Sequence, residues 1–151
     1  MPAARPAWFS TALLLWMLGQ WCVFGAAQKL KLEVQLVWAT NDRESPEPSH
    51  KPVEPAVLKK LKDLPLKWTN YFEVNRHEFE VPASGVVNVP VSSKCSIEVK
   101  RLADTTMEVS FIGKGKPVEK RIMALPRGEL LVYGGNAPNA TAWLVVLKRL
   151  E

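Results

Sequence analysis

The chain has 151 residues, a formal net charge of +5 and two cysteines. That length makes one compact domain the default. Scattered lysines with so mild an excess give no footprint for nucleic acid, and two cysteines cannot form a disulfide framework.

The N-terminus, MPAARPAWFSTALLLWMLGQWCVFGAAQ, is set aside from the fold. Arg5 precedes an apolar run from Ala12 to Phe24, and Gly25 and Ala27 supply the small residues that a signal peptidase needs. The expectation is a signal peptide over residues 1–27. The alternative is an uncleaved membrane anchor over residues 8–27, because Trp8 to Ala27 contains only Ser10, Thr11 and Gln20 as polar side chains. Such a stretch approaches the roughly 20 residues that span a bilayer. Cys22 follows Trp21, which does not suit a lipoprotein site. Cleavage leaves Gln28 to Glu151, with Cys95 as the single cysteine and no internal disulfide. A chain of that size buries about two thirds of its unfolded surface and needs no metal for stability.

Leu30, Leu32, Val34, Leu36 and Trp38 alternate with Lys31, Glu33 and Gln35, which predicts a half-buried strand with Trp38 in the core. NDRESPEPSHKPVEP, residues 41–55, has four prolines and no apolar period and reads as a solvated loop. Val57, Leu58, Leu61 and Leu64 form one stripe of a short helix near residues 55–64, with Pro55 in its first turn and Pro65 at its end. Beyond Trp68 the pattern is strands. Phe72 and Val74 share a face, then Phe79 and Val81 appear one residue out of phase, so a bulge or turn is expected near Asn75 and Arg76. Val87, Val89 and Val91 group together, and Pro90 marks an edge strand. Cys95, Ile97 and Val99 face inward, as do Met107, Val109 and Phe111, and the chain returns with Val118 and Ile122. Ala142 to Leu147 is apolar on both faces and predicts a central strand covered on both sides. The sum is a mainly β, sandwich or barrel-like antiparallel domain over residues 28–151, with about seven or eight strands and one helix.

The most distinctive stretch is LVYGGNAPNATAW, Leu131 to Trp143. A Gly-rich phosphate loop leads into a helix N-terminus, whereas this one leads into a strand. The glycines are therefore expected to supply positive φ in a turn, with Asn136 and Asn139 tolerating similar angles. The alternative is a loop that presents Tyr133, Asn136, Asn139 and Trp143 to a partner. GKGKP, from Gly113, reads as a charged hairpin tip. Asn139 also begins a formal glycosylation sequon.

No catalytic, metal or cofactor site emerges. Cys95 alternates with apolar residues and reads as buried rather than as a nucleophile partnered by His77. No nucleophile elbow is present for a hydrolase, and no spacing supplies a polar triad. Glu78 and Glu80 read as a solvated strand face. Asp42, Glu44, Glu47 and His50 offer at most a weak calcium site on the proline-rich loop. Trp68 and Tyr71, beside Lys67 and Asn70, form a candidate sugar-stacking pair, although capping of the core beside the helix is the simpler role.

LKWTNYFEVNRHEF, GKGKPV and GELLVYGGNAPNATAWLVVL together resemble small uncharacterised secreted proteins of Verrucomicrobia-type bacteria, over about Trp38 to Leu147. The resemblance implies export and a bacterial envelope setting. It carries no known activity. The expected function is a non-enzymatic protein-binding or assembly role in the periplasm or outside the cell. The edge strand around Pro90, which could recruit another strand by backbone bonding, the proline-rich loop or the Gly-Asn loop would meet an envelope protein. The alternatives are a carbohydrate-binding module that takes a polysaccharide through Trp68, Tyr71 and the Gly-Asn loop, and a small hydrolase. Membrane contact is expected only if the N-terminal segment is uncleaved.

Overall fold

The computed structural model describes residues 29–151, so the expected signal peptide or anchor and Cys22 lie outside the described residues. Nine strands and one helix follow in chain order: β1 Leu30–Thr40, β2 Lys51–Pro52, α1 Pro55–Lys62, β3 Asn70–Val81, β4 Val86–Pro90, β5 Cys95–Arg101, β6 Thr106–Gly113, β7 Lys116–Ala124, β8 Leu130–Ala137 and β9 Thr141–Arg149. They form a five-stranded sheet, β2-β3-β1-β9-β8, and a four-stranded sheet, β4-β5-β6-β7, both antiparallel. The domain is a β-sandwich with one short helix.

Alternation in the strands fills the space between the sheets. Leu30, Leu32, Val34 and Leu36 of β1 meet Ile97, Val99, Met107, Val109 and Phe111, with Val145 and Leu147 of β9 beside them. The opposite, outer face of the five-stranded sheet carries a second apolar layer. Val37, Ala39, Tyr71, Ala142, Leu144 and Val146 lie there under Val57 and Leu61 of α1. β9 thus lies between β1 and β8 and is covered on both faces, as its sequence requires.

The phase slip in β3 is a break in register. Leu36 pairs with Asn75 and Val37 with Glu73, leaving Val74 as the extra residue. Pro90 ends β4, an edge strand, as expected.

Several expectations need correction. The proline-rich loop contains β2, which pairs Lys51 with Glu73 and Pro52 with Phe72, and Val53 after it is buried. α1 ends at Lys62 with Asp63 as its cap, and Leu64 is 39% exposed. Pro65 restricts Leu64 to extended angles, so the last residue of the stripe cannot join the helix. Val118 and Ile122 are exposed, at 59% and 62%. Val118 is an extra residue between the pairs Phe111–Glu119 and Ile112–Pro117, and beyond it Ile122 pairs with Glu108 on the outer face. Trp38 shares the leucine face but is only half-buried, and its ring meets that of Trp143 at a tilt.

The polar face of β1 is not solvated. Glu33 and Gln35 are buried on the outer face. Arg76 gathers three carboxylates there. Its Nε and Nη2 donate to both oxygens of Glu73, at 3.0 and 2.6 Å, and its Nη1 reaches Glu54 at 2.5 Å and Glu33 at 3.4 Å. The bidentate bond to Glu73 is the main cause that raises the Arg76 pKa, with Glu54 and Glu33 adding to it. Glu54 immediately precedes α1 and makes no side-chain cap to it, so its carboxylate ties the start of the helix to β3. Gln35 donates to Glu33 at 2.6 Å, while its own Oε1 is buried without a partner among the described residues.

Candidate functional site

The Gly-Asn stretch is a hairpin between two strands, not a loop. Gly134, Gly135 and Asn136 lie within β8, each paired across to β9. The turn is confined to Pro138, Asn139 and Ala140. Positive φ falls on Asn139 at 62° and on Ala140 at 57°, and on neither of the two glycines. Two bonds fix this turn: Thr141 Oγ1 donates to Pro138 O at 2.7 Å, and the Trp68 indole donates to Ala140 O at 2.8 Å.

Five of the six candidate residues divide between the two faces of the five-stranded sheet. On the outer face, Trp68 and Asn136 line one groove of about 350 Å³ together with Leu64, Leu66, Val132 and Leu144. Tyr71 is on the same face but 4% exposed, beneath the helix, with its hydroxyl donating to Trp68 O at 3.0 Å. Burial raises its pKa. Its ring offers no surface to a sugar, and the expected Trp68–Tyr71 platform is thereby corrected. Trp68 itself is half-buried, and Lys67 Nζ lies 5.3 Å from its ring centroid.

On the inner face, Tyr133 stacks on Phe111 at 4.3 Å, with Arg121 5.9 Å from its ring. One row further on, Phe72, Trp38, Trp143 and Gly135 are successive cross-strand neighbours on β3, β1, β9 and β8. The Trp38 and Trp143 rings are 4.5 Å apart and tilted by 58°. Trp143 is 40% exposed. A Cβ built on Gly135 would meet nothing within 4 Å, whereas one on Gly134 would stand 2.6 Å from Leu144 Cδ2. Asn139 stands exposed at the turn, on neither wall.

The other candidates resolve into local roles. Glu78 and Glu80 pair with Lys31 at 3.0 Å and Lys29 at 3.5 Å on the outer face. The Glu78 hydrogen bond is the first cause that raises the Lys31 pKa. Burial pushes the Cys95 thiol up, and no hydrogen bond joins Cys95 to His77 among the described residues. Asp42 and Glu44 do not join Glu47 and His50: no cluster of three metal-binding side chains occurs among the described residues. Ser45, His50 and Glu47 do meet, a contact that the sequence spacing did not suggest. His50 Nδ1 bonds Ser45 Oγ, and His50 Nε2 lies 3.4 Å from Glu47. The His50 side chain is only 5% exposed, and Ser45 Oγ also accepts from Glu47 N, so the three residues staple the loop. A wider cleft of about 380 Å³ at the far end of the sandwich, around Ala83, Arg101, Asp104 and Arg149, contains none of the six candidates.

What remains is a strand edge. β8 bonds β9 on one side, and no strand lies on its other side among the described residues. It is flanked by the groove on one face and the tryptophan row on the other. No protein-family model, curated protein or solved structure matches the chain.

Proposed function

We propose that this chain is an exported, non-catalytic module of the cell envelope that binds an extended segment of a partner protein by strand addition to β8. The supporting observation is the contrast among the sandwich's four edges. β2 is two residues long and includes Pro52. β4 ends in Pro90. β7 carries Pro117, the extra residue Val118, and the charges of Lys116, Glu119, Lys120 and Arg121. Short length, proline, irregular pairing and charge are the devices that keep sheet edges from recruiting strands. β8 has none of them: from Leu130 to Ala137 it is uncharged, free of proline and in unbroken register with β9. An edge left open in this way suits backbone bonding to an added strand. The sugar-binding alternative loses the Tyr71 ring to the core and the Trp68 indole N–H to the hairpin turn.

The test is the native size of the full-length chain in a gentle extract of its own envelope fraction. The wild type should run in a complex larger than the chain alone. Gly135→Lys should release it, because position 135 has ordinary φ and open space for a side chain while the charge guards the edge. Val118→Lys, on the edge of β7, should leave the complex intact. A complex indifferent to Gly135→Lys, or a wild type that runs alone, would contradict the proposal.

A further inference from the structure

Gly134 and Gly135 bear on which side chains an added strand must carry, an inference that rests on strand addition at β8. Glycine weakens a strand relative to alanine, because it loses more backbone freedom on folding. It is retained within strands for a bulge, an unusual φ, close packing, or the close approach of a ligand. Gly134 has a packing reason in Leu144. Gly135 has no bulge, no positive φ and, among the described residues, no neighbour within 4 Å of a Cβ. The approach of a ligand is the reason left.

The two glycines are consecutive and so open the two faces of one edge. On the outer face, Gly134 leaves Leu144 as the floor of the groove walled by Leu64, Leu66 and Val132. On the inner face, Gly135 leaves the Trp143 ring reachable from the side of β8. A residue paired opposite Gly135 shares its face and can lay a ring against Trp143, and the next residue points into the groove. Charge selects the residue two places beyond the ring, which shares its face. The end of the four-stranded sheet on this side carries Lys94, Lys114 and Lys116, with Lys114 N bonded to Lys94 O at 2.8 Å. None of these lysines has an ion-pair partner among the described residues.

We infer that β8 selects an extended segment of another protein in which an aliphatic and an aromatic residue stand side by side, the first filling the groove at Gly134 and the second packing on Trp143, with a carboxylate two residues beyond the aromatic one, on its face, toward the lysines.

The experiment titrates the full-length chain with fluorescein-labelled ten-residue peptides and reads fluorescence anisotropy. The parent peptide has a central Leu-Phe-Ser-Glu, which places Glu on the same face as Phe, in an otherwise Ser/Thr-rich extended sequence. Replacing Phe or Leu by Ser should weaken binding at least tenfold each, and replacing Glu by Lys should weaken it severalfold in a salt-dependent way. Trp143→Ala should reduce affinity for the Phe peptide to that for its Ser version and leave the Ser peptide unchanged, a coupling that general unfolding would not give. Equal affinity for all the peptides would overturn this inference and leave strand addition standing. A homodimer abolished by Gly135→Lys, with no peptide bound, would also overturn it, by making the edge's occupant a second copy. No peptide binding and no complex sensitive to Gly135→Lys would remove both readings.

Discussion

Gly134 and Leu144 are cross-strand partners so close that a methyl group on Gly134 would stand 2.6 Å from Leu144 Cδ2. Leu144 is 2% exposed, and its Cδ2 can yield only toward the groove that it floors. Gly134→Ala should therefore destabilise the fold by about 1–2 kcal/mol through overpacking. Gly135→Ala, one residue on, meets no atom and no unusual φ. It should be neutral or stabilising by up to about 1 kcal/mol, because alanine restricts the unfolded chain. Denaturant unfolding of the two variants checks the contrast. Equal losses would mean that the two glycines do not differ as the structure shows.

Arg76 neutralises Glu33, whose side chain is 5% exposed, while its own side chain is 30% exposed. Arg76→Met leaves that carboxylate buried without its cation. The expected loss is about 2–3 kcal/mol, somewhat below the range for fully buried pairs. Glu33→Gln should cost less, since Arg76 keeps Glu73 and Glu54. The double variant should recover part of the Arg76→Met loss. A double-mutant cycle in urea reads this directly, and strict additivity would show that the contact at 3.4 Å carries no energy.

Burial raises the pKa of Cys95 and of Tyr71 above their ordinary values. For each group the unfolded chain loses its proton first as pH rises. Stability from both is therefore fully present at neutral pH. It declines once pH passes the unfolded thiol near pH 8.5 and the unfolded phenol near pH 10, and continues to fall until each folded pKa is passed. Unfolding free energy measured from pH 7 to 11 should drop in that window. Cys95→Ala should remove the earlier part of the drop and Tyr71→Phe the later part. The raised thiol pKa also predicts slow reaction of Cys95 with a thiol reagent in the folded protein at pH 7.

The Trp68 indole holds the hairpin turn through Ala140 O. Trp68→Phe keeps a ring in the groove wall and deletes this bond. The expected cost is about 1 kcal/mol. Amide exchange should quicken at Asn139 to Thr141 and stay unchanged in β5 and β6. A uniform rise across the domain would mean that Trp68 acts through packing alone.

Elements with a strong apolar pattern were legible in the sequence. β1 shows it by alternation, β9 by being apolar on both faces, and the break in β3 by the phase slip between Val74 and Phe79. Pro90 identified an edge because a missing N–H is a local property. Features that depend on distant partners were not legible. Glu33 and Gln35 alternate like solvated residues, and only Arg76 and Glu54, brought in by β3 and α1, allow them to be buried. Tyr71 looks exposed beside Lys67 and Asn70 until the helix covers it. β2 is two residues whose strand character comes from β3. The glycines misled because glycine in a turn-like composition suggests positive φ, whereas here the turn is made by Asn139 and Ala140. The edge position of β8 among the described residues is a property of strand order, which no local pattern encodes.

The most direct test of strand addition is amide hydrogen exchange along β8, in the full-length chain alone and in its complex from the envelope extract. Alternate β8 amides, those not bonded to β9, should exchange quickly in the lone chain and become strongly protected in the complex, while β4 and β7 stay unchanged. Unprotected β8 amides in a complex that protects residues elsewhere would contradict the account.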